Sequence, residues 1–253
     1  MTRWFKRRYA DTMDSPAPST QLVADLVDAN RILADQGIVD AFGHVSARHD
    51  AQPDRFLMSR NLAPGLVNEA DILEYEVATG ESVRSDPPRL YLERWIHSEI
   101  YKARADVMAV VHNHSPAVLP FAIARGARLQ PVCHMSGFLG SGTPLFEIRD
   151  HAGESSDLLI RNRPLGAALA QCLGAARVVL MRGHGCTVVA ESVRVAVYRA
   201  VYTELNARLQ LQASMLGEVQ ALTAGEAAAT QATNEGQVER PWNLWRERAR
   251  AGN

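Results

Sequence analysis

Three features of the sequence predict an α/β fold. Two fully apolar runs, residues 107–111 and 178–181, read as buried strands. Each follows a stretch whose apolar residues recur at helical spacing, residues 90–104 before the first and 164–173 before the second. Shorter runs at 41–48, 55–60 and 72–77 alternate or are rich in strand formers, and Pro53-Asp54 marks the turn between the first two.

The remaining elements fall between these. Residues 1–18 end in Asp14-Ser15-Pro16-Ala17-Pro18 and read as a flexible leader. A helix over 19–36, capped by Ser19 or Thr20, carries Leu22, Val23, Leu26, Val27, Ile32 and Leu33 and stops at Gly37. A short helix is expected at 117–124, and short strands or loops at 129–135 and 145–148. Gly174 stops the 164–173 helix. The 178–181 strand runs into Arg182-Gly183-His184-Gly185-Cys186 and then Thr187-Val188-Val189. Ser192 caps a long helix over 193–216. Residues 222–238, rich in Ala, Thr, Glu and Gln, read as a flexible link or a poorly packed helix. Trp242, Leu244 and Trp245 mark a docked C-terminal helix at 241–250, and with the 193–216 helix they offer more apolar surface than one domain edge needs. No repeat or boundary divides the chain, so one domain over 19–253 with a helical tail follows the leader.

Composition narrows the function. A net charge of -1 provides no field for nucleic acid or a membrane surface. No run of 18 apolar residues suggests a bilayer span. Three scattered cysteines, Cys133, Cys172 and Cys186, argue against a disulfide framework and fit a reducing, cytoplasmic setting. No Gly-x-Gly-x-x-Gly follows a strand, so there is no dinucleotide fingerprint.

His112 and His114 are two apart at the end of a strand and should project from one face, half of a metal site. His184, flanked by Gly183 and Gly185 after a second strand, is the candidate third ligand, because glycine permits close backbone approach and unusual dihedrals. Glu93, on the helix feeding the His112 strand, is the candidate fourth participant; His97, one turn on, reads as a supporting or structural residue.

These residues resemble a family. Glu93-x-x-x-His97, Ile100-Tyr101-x-x-Arg104-x-Asp106-Val107 and Ala109-Val110-Val111-His112-x-His114-Ser115 are similar to the signature of the class II aldolase/adducin family. Gly43-His44-Val45-Ser46-Ala47-Arg48 resembles its Gly-Asn-Val-Ser-x-Arg loop, and Arg182-Gly183-His184-Gly185 its third-histidine loop. The resemblance covers approximately residues 20–216, with these blocks in the right order. The resemblance implies a three-layer α/β/α sandwich with a mixed, mostly antiparallel central sheet, and a homotetramer with sites near subunit interfaces. It further implies one divalent ion (Zn, Mn, Fe or Co) on His112, His114 and His184, with Glu93 as acid–base residue or displaceable ligand. Such an ion polarises a substrate oxygen and stabilises the enolate left by carbon–carbon cleavage.

Departures from the family pattern bear on the substrate. Where sugar-phosphate members carry phosphate-holding loops, this chain has Ser59-Arg60-Asn61-Leu62-Ala63-Pro64 and Tyr91-Leu92-Glu93, and His44 replaces the loop asparagine. His44, Ser59 and Arg60 are therefore assigned to substrate binding, with Arg60 suited to a carboxylate. The wording resembles the branch that decarboxylates hydroxylated aromatic or pyridine dicarboxylates, so the expected substrate is a small-molecule carboxylate. A metal-dependent aldolase acting on an unphosphorylated hydroxy-keto acid, an iron-dependent oxygenase and a non-catalytic adducin-like module are the alternatives.

Overall fold

The computed structural model describes residues 16–140 and 142–252. The leader expected over residues 1–18 therefore lies largely outside the described residues; of its end, the Pro16 carbonyl accepts a hydrogen bond from the Gln52 side chain at 2.8 Å. Among the described residues, no helix is long and apolar enough to cross a membrane.

Helix α1 (Thr20–Asp35) starts where the Ser19 hydroxyl accepts the Leu22 N–H. Strands β1 (His44–Arg48), β2 (Arg55–Ser59) and β3 (Ile72–Glu76) follow as an antiparallel meander. Helix α2 (Arg94–Ala103) leads into β4 (Ala109–Asn113) and the short α3 (Leu119–Ile123). Beyond a 3₁₀ segment at His134–Leu139 come β5 (Leu145–Phe146), α4 (Arg149–Ala152) and α5 (Arg163–Leu173). Strands β6 (Val178–Met181) and β7 (Gly185–Ala190) precede α6 (Val193–Ser214), α7 (Ala224–Glu235) and α8 (Glu239–Ala251).

The seven strands form one sheet in the order β3-β2-β1-β4-β7-β6-β5. Every pairing is antiparallel except β5 with β6, so the sheet is mixed and mostly antiparallel, as expected. Alternate strand residues feed two cores. Val45, Ala47, Leu57, Val111 and Val188 pack against α1, α6 and α8. Phe56, Met58, Val110, Val179 and Val189 face Ile96 and Ile100 of α2 and Leu165 and Leu169 of α5. Helices thus cover both faces, giving three layers, and each fully buried aliphatic side chain contributes about 1.5–3 kcal/mol.

Several boundaries differ from the sequence reading. Residues 40–43 turn rather than extend, and β1 begins at His44. Strand β3 stops at Glu76, one residue short. The α2 helix begins at Arg94, not residue 90, so Glu93 stands at its N-cap, with φ -95° and ψ 19°. The 129–135 stretch forms no strand and enters the 3₁₀ segment. Helix α6 ends at Ser214, and Leu216 is exposed.

Of the two readings of 222–238, flexible link or poorly packed helix, the structure has the helix, α7, with its ends tied down. Thr223 and Glu226 form a reciprocal capping box at the start of α7. Asn234 donates to the His134 carbonyl at 2.9 Å, and the buried Arg199 of α6 pairs with Glu235 at 2.6 Å. The C-terminal helix docks as expected, but Trp242 and Trp245 are buried within their own chain, beside Arg194 and Tyr202. Their apolar surface is consumed in the core and so lends no support to an oligomer.

Arg48 locks one end of the sheet. Its buried guanidinium donates to the carbonyls of Val107, Pro53, Tyr101 and Arg104 and lies 4.8 Å from the Tyr101 ring centre. Arg48→Met keeps the stem but strands these acceptors, and buried unmet acceptors together with lost charged hydrogen bonds cost about 3 kcal/mol. Urea unfolding should show a loss of that order; a loss below about 1 kcal/mol would make the clamp unimportant.

Candidate metal centre

The centre is built on the strand β4. Its register sets His44 opposite His112 on one side and Thr187 opposite His112 on the other. The period of two turns His112 to the same face as Val110, toward α2 and α5, and His114 follows just past the strand end. The Nε2 atoms of His112 and His114 are 3.1 Å apart. His184 completes a triangle of rings with centroids 4.9–5.0 Å apart.

Glycines bring the third histidine in. Gly183 has φ +67°, and a Cβ on Gly185 would lie 2.1 Å from the Asn113 carbonyl oxygen. Only a residue without a side chain lets β7 run this close to β4. Glu93 enters from the start of α2. Its Oε1 accepts the Ile160 N–H at 2.9 Å, and its Oε2 lies 3.4 Å from His184 Nε2 and 3.7 Å from His112 Nε2. One ligating atom from each of Glu93, His112, His114 and His184 lies within 4.8 Å of all the others.

This donor set fits a divalent ion. The His184 Nδ1–H donates to the Leu158 carbonyl at 3.0 Å, which leaves Nε2 bare; that atom is buried and has no hydrogen-bond partner among the described residues. His112 Nδ1 lies 3.3 Å from the Thr187 hydroxyl, whose own hydrogen can turn to the Met181 sulfur at 3.5 Å. The lone pair on His112 Nε2 is thereby also directed inward. Burial, then the neighbouring histidines His184, His44 and His114, holds His112 well below the usual imidazole range, in the neutral form a ligand needs. Burial pulls His184 the same way, but the Glu93 carboxylate and the Leu158 carbonyl outweigh it and raise it. Leu158 is the one non-glycine among the described residues with positive φ, at 68°. Such backbone strain persists where its surroundings fix it; here residues 158–160 hold both His184 and Glu93.

A second row of side chains stands behind. His44 Nδ1 and His97 Nε2 are 2.6 Å apart, His97 Nδ1 and the Ser46 hydroxyl 2.6 Å, and Ser46 and Tyr101 hydroxyls 2.8 Å. His97 thus supports His44. The Tyr91 ring lies 4.8 Å from His44, and its hydroxyl donates to the Leu62 carbonyl. Ser59 is fully buried, with its hydroxyl 3.3 Å from that of Tyr91, so it lies behind the wall. Arg60 is part-exposed and donates its Nε to Asp71 at 2.6 Å. The structure therefore gathers Glu93 and three histidines, sets His44 beside them, and places Ser59 and Arg60 next to Tyr91. Tyr91 is noted in the sequence as part of Tyr91-Leu92-Glu93 but not assigned to the site; the Leu158 loop carries no sequence signal.

Residues 24–211 match the family model described as the class II aldolase and adducin N-terminal domain. The chain is 40% identical over 250 residues to decarboxylase tropJ of Talaromyces stipitatus, covering 90% of this chain and 94% of that protein. It is 33% identical over 229 residues to a 3,4-dihydroxyphthalate decarboxylase of a Terrabacter species, covering 84% and 89%. Among solved structures, L-fuculose 1-phosphate aldolase from Glaciozyma antarctica superposes with a TM-score of 0.73 at 20% identity, over 92% of this chain and 94% of that one, a likeness of fold.

Two outcomes test the centre. His112→Ala and Gly185→Ala should each lower the divalent metal retained after dialysis, read by elemental analysis; full retention in both would mean that the cluster is not the binding site. The second concerns pH. Burial holds folded His97 down to about 3, whereas an unfolded histidine titrates near 6.5. The unfolded chain therefore binds more protons between those values, and stability falls as pH drops through that window. Metal-free His97→Gln should show a shallower loss of unfolding free energy between pH 6.5 and 4.5 than the wild type; an equal slope would contradict a buried neutral His97.

Proposed function

This chain belongs to the class II aldolase and adducin family and is one of its enzymes, and we propose that it removes carbon dioxide from a hydroxylated aromatic or heteroaromatic carboxylate or dicarboxylate. The observation that carries the reading is the convergence of His112, His114, His184 and Glu93 in a chain alike to decarboxylases over most of its length. The three histidines would hold one divalent ion, Zn, Mn, Fe or Co. Bound there, the ion supplies Lewis acidity to a substrate oxygen.

The chain's own groups do the rest. Glu93 is tethered through Oε1, which leaves Oε2 beside the histidines to hold or move a proton. When the bond to the carboxyl carbon breaks, the electron pair stays on the ring carbon, and Glu93 delivers the proton that replaces carbon dioxide. Arg60, fixed by Asp71 through Nε, keeps the two terminal nitrogens of its guanidinium for a carboxylate. The His44 ring lies between those of Tyr91 and His112, and Ser59 supports Tyr91 from behind. The same reading places the enzyme in the cytoplasm, in keeping with three free cysteines, and assembles it as a homotetramer, in keeping with exposed Leu66, Ile123 and Leu216. A monomer by light scattering at micromolar concentration would remove the assembly.

The test is carbon dioxide release from a panel of 3,4-dihydroxyphthalate, related hydroxyaromatic acids and hydroxy-keto acids. Glu93→Gln should retain metal and lose turnover by about 10²–10⁴-fold. Arg60→Ala should raise KM most for substrates with a second carboxylate. Near-wild-type turnover in Glu93→Gln would remove its catalytic role; aldehyde or pyruvate in place of carbon dioxide would make the enzyme an aldolase, and oxygen uptake an oxygenase.

A further inference from the structure

Phe42 stands at the rim of the centre with 68% of its surface exposed. Its ring centroid is 6.5 Å from that of His114. Single exposed apolar residues are common, but the backbone that carries this one is held in place. Asp40 Oδ1 accepts the Phe42 N–H at 2.8 Å, and the Asp40 N–H returns to the Phe42 carbonyl at 3.3 Å. Gly43 follows with φ +97°, where a Cβ would lie 2.6 Å from Val39 Cγ1 and 3.1 Å from the His112 carbonyl oxygen. The turn is wedged against the ligand strand, so the Phe42 backbone is fixed at the rim of the centre.

The cluster also has a direction. His112 and Glu93 are buried, whereas His114 and His184 are only partly covered. Anything reaching the four ligands enters over His114 or His184, and Phe42 flanks the His114 side. A planar acid that sets its hydroxyl and carboxylate inward extends its ring outward along this rim.

We propose that Phe42 is the aromatic platform against which the substrate ring stacks, and that it selects planar aromatic acids over aliphatic acids with the same hydroxyl–carboxylate donor pair. The proposal rests on the reading of the reaction as decarboxylation of an aromatic acid. Phe42 is a specificity residue: it touches the ring and takes no part in proton transfer. Offset ring stacking is worth a factor of roughly 3–10 in affinity.

The experiment is calorimetric titration of the metal-loaded protein with two probes, salicylate and glycolate, each first checked to release no carbon dioxide on the protein, which offer a hydroxyl and a carboxylate with and without an aromatic ring. Phe42→Ala should weaken salicylate by roughly 3–10-fold and leave glycolate unchanged; Phe42→Tyr should restore salicylate binding. Unchanged salicylate affinity in Phe42→Ala, an equal loss for both probes, or a wild type that binds salicylate no more tightly than glycolate overturns the proposal. So does a change of mass by light scattering with salicylate binding preserved, which assigns the ring to a contact between copies. Carbon dioxide release by the wild type is measured separately. Its absence for every aromatic acid refutes the reaction, while a working decarboxylase without the ring-selective loss refutes the platform alone.

Discussion

The antiparallel pairing of β4 with β1 and β7 is the constraint on which everything else depends. It places His44, His112 and Thr187 side by side across three strands. A slip of one residue in either register would turn His112 into the opposite core, among Val45, Val111 and Val188. The register is in turn held by apolar side chains. Val110 and Val111 point to opposite faces and each is fully buried, so no shifted pairing satisfies both cores. The site is thus a polar extension of a hydrophobic pattern, at the point where the strand runs out of valines.

Placing so many imidazoles in one interior is costly unless they remain uncharged. The chain keeps His44, His97 and His112 so. His44 and His97 are both held well down by burial, and the Ser46 and Tyr101 hydroxyls continue their hydrogen-bonded row to the end of α2. A row of neutral donors and acceptors orients rings without adding a charge that would compete with Glu93 for the centre. Orientation from the other direction comes from backbone: the Leu158 carbonyl on His184 and the Ile160 N–H on Glu93. These two contacts belong to one strained segment, so the positions of the third histidine and the carboxylate are mechanically linked.

Much of this could be read from the residues themselves. The spacing of His112 and His114 after an apolar run signals a shared strand face, and glycines on both sides of His184 signal close approach. Glu93 was legible by its place before that strand, but not its position at the helix boundary, because Tyr91 and Leu92 continue the helical apolar pattern while the backbone turns. Helix α7 could not be told from a flexible link, for a different reason. It packs through Ala227 and through side-chain hydrogen bonds from Asn234 and Glu235, so it shows no apolar stripe. The tryptophans of α8 were misjudged because composition registers apolar area but not which surface covers it. The packing of Tyr91 on His44 and the role of Leu158 arise from three-dimensional adjacency.

The ligands come from parts of the chain that meet late. His112 and Thr187 are 75 residues apart, and His44 and His97 are 53 apart. Non-local antiparallel pairing of this kind is slow to form, because loop closure must precede the contacts that reward it. The ion-holding geometry cannot exist until β1, β4 and β7 are zipped together, so it is absent from early collapsed states. An ion captured by these residues would therefore leave the folding rate nearly unchanged and slow unfolding instead, conferring persistence on the finished protein rather than speed on its assembly.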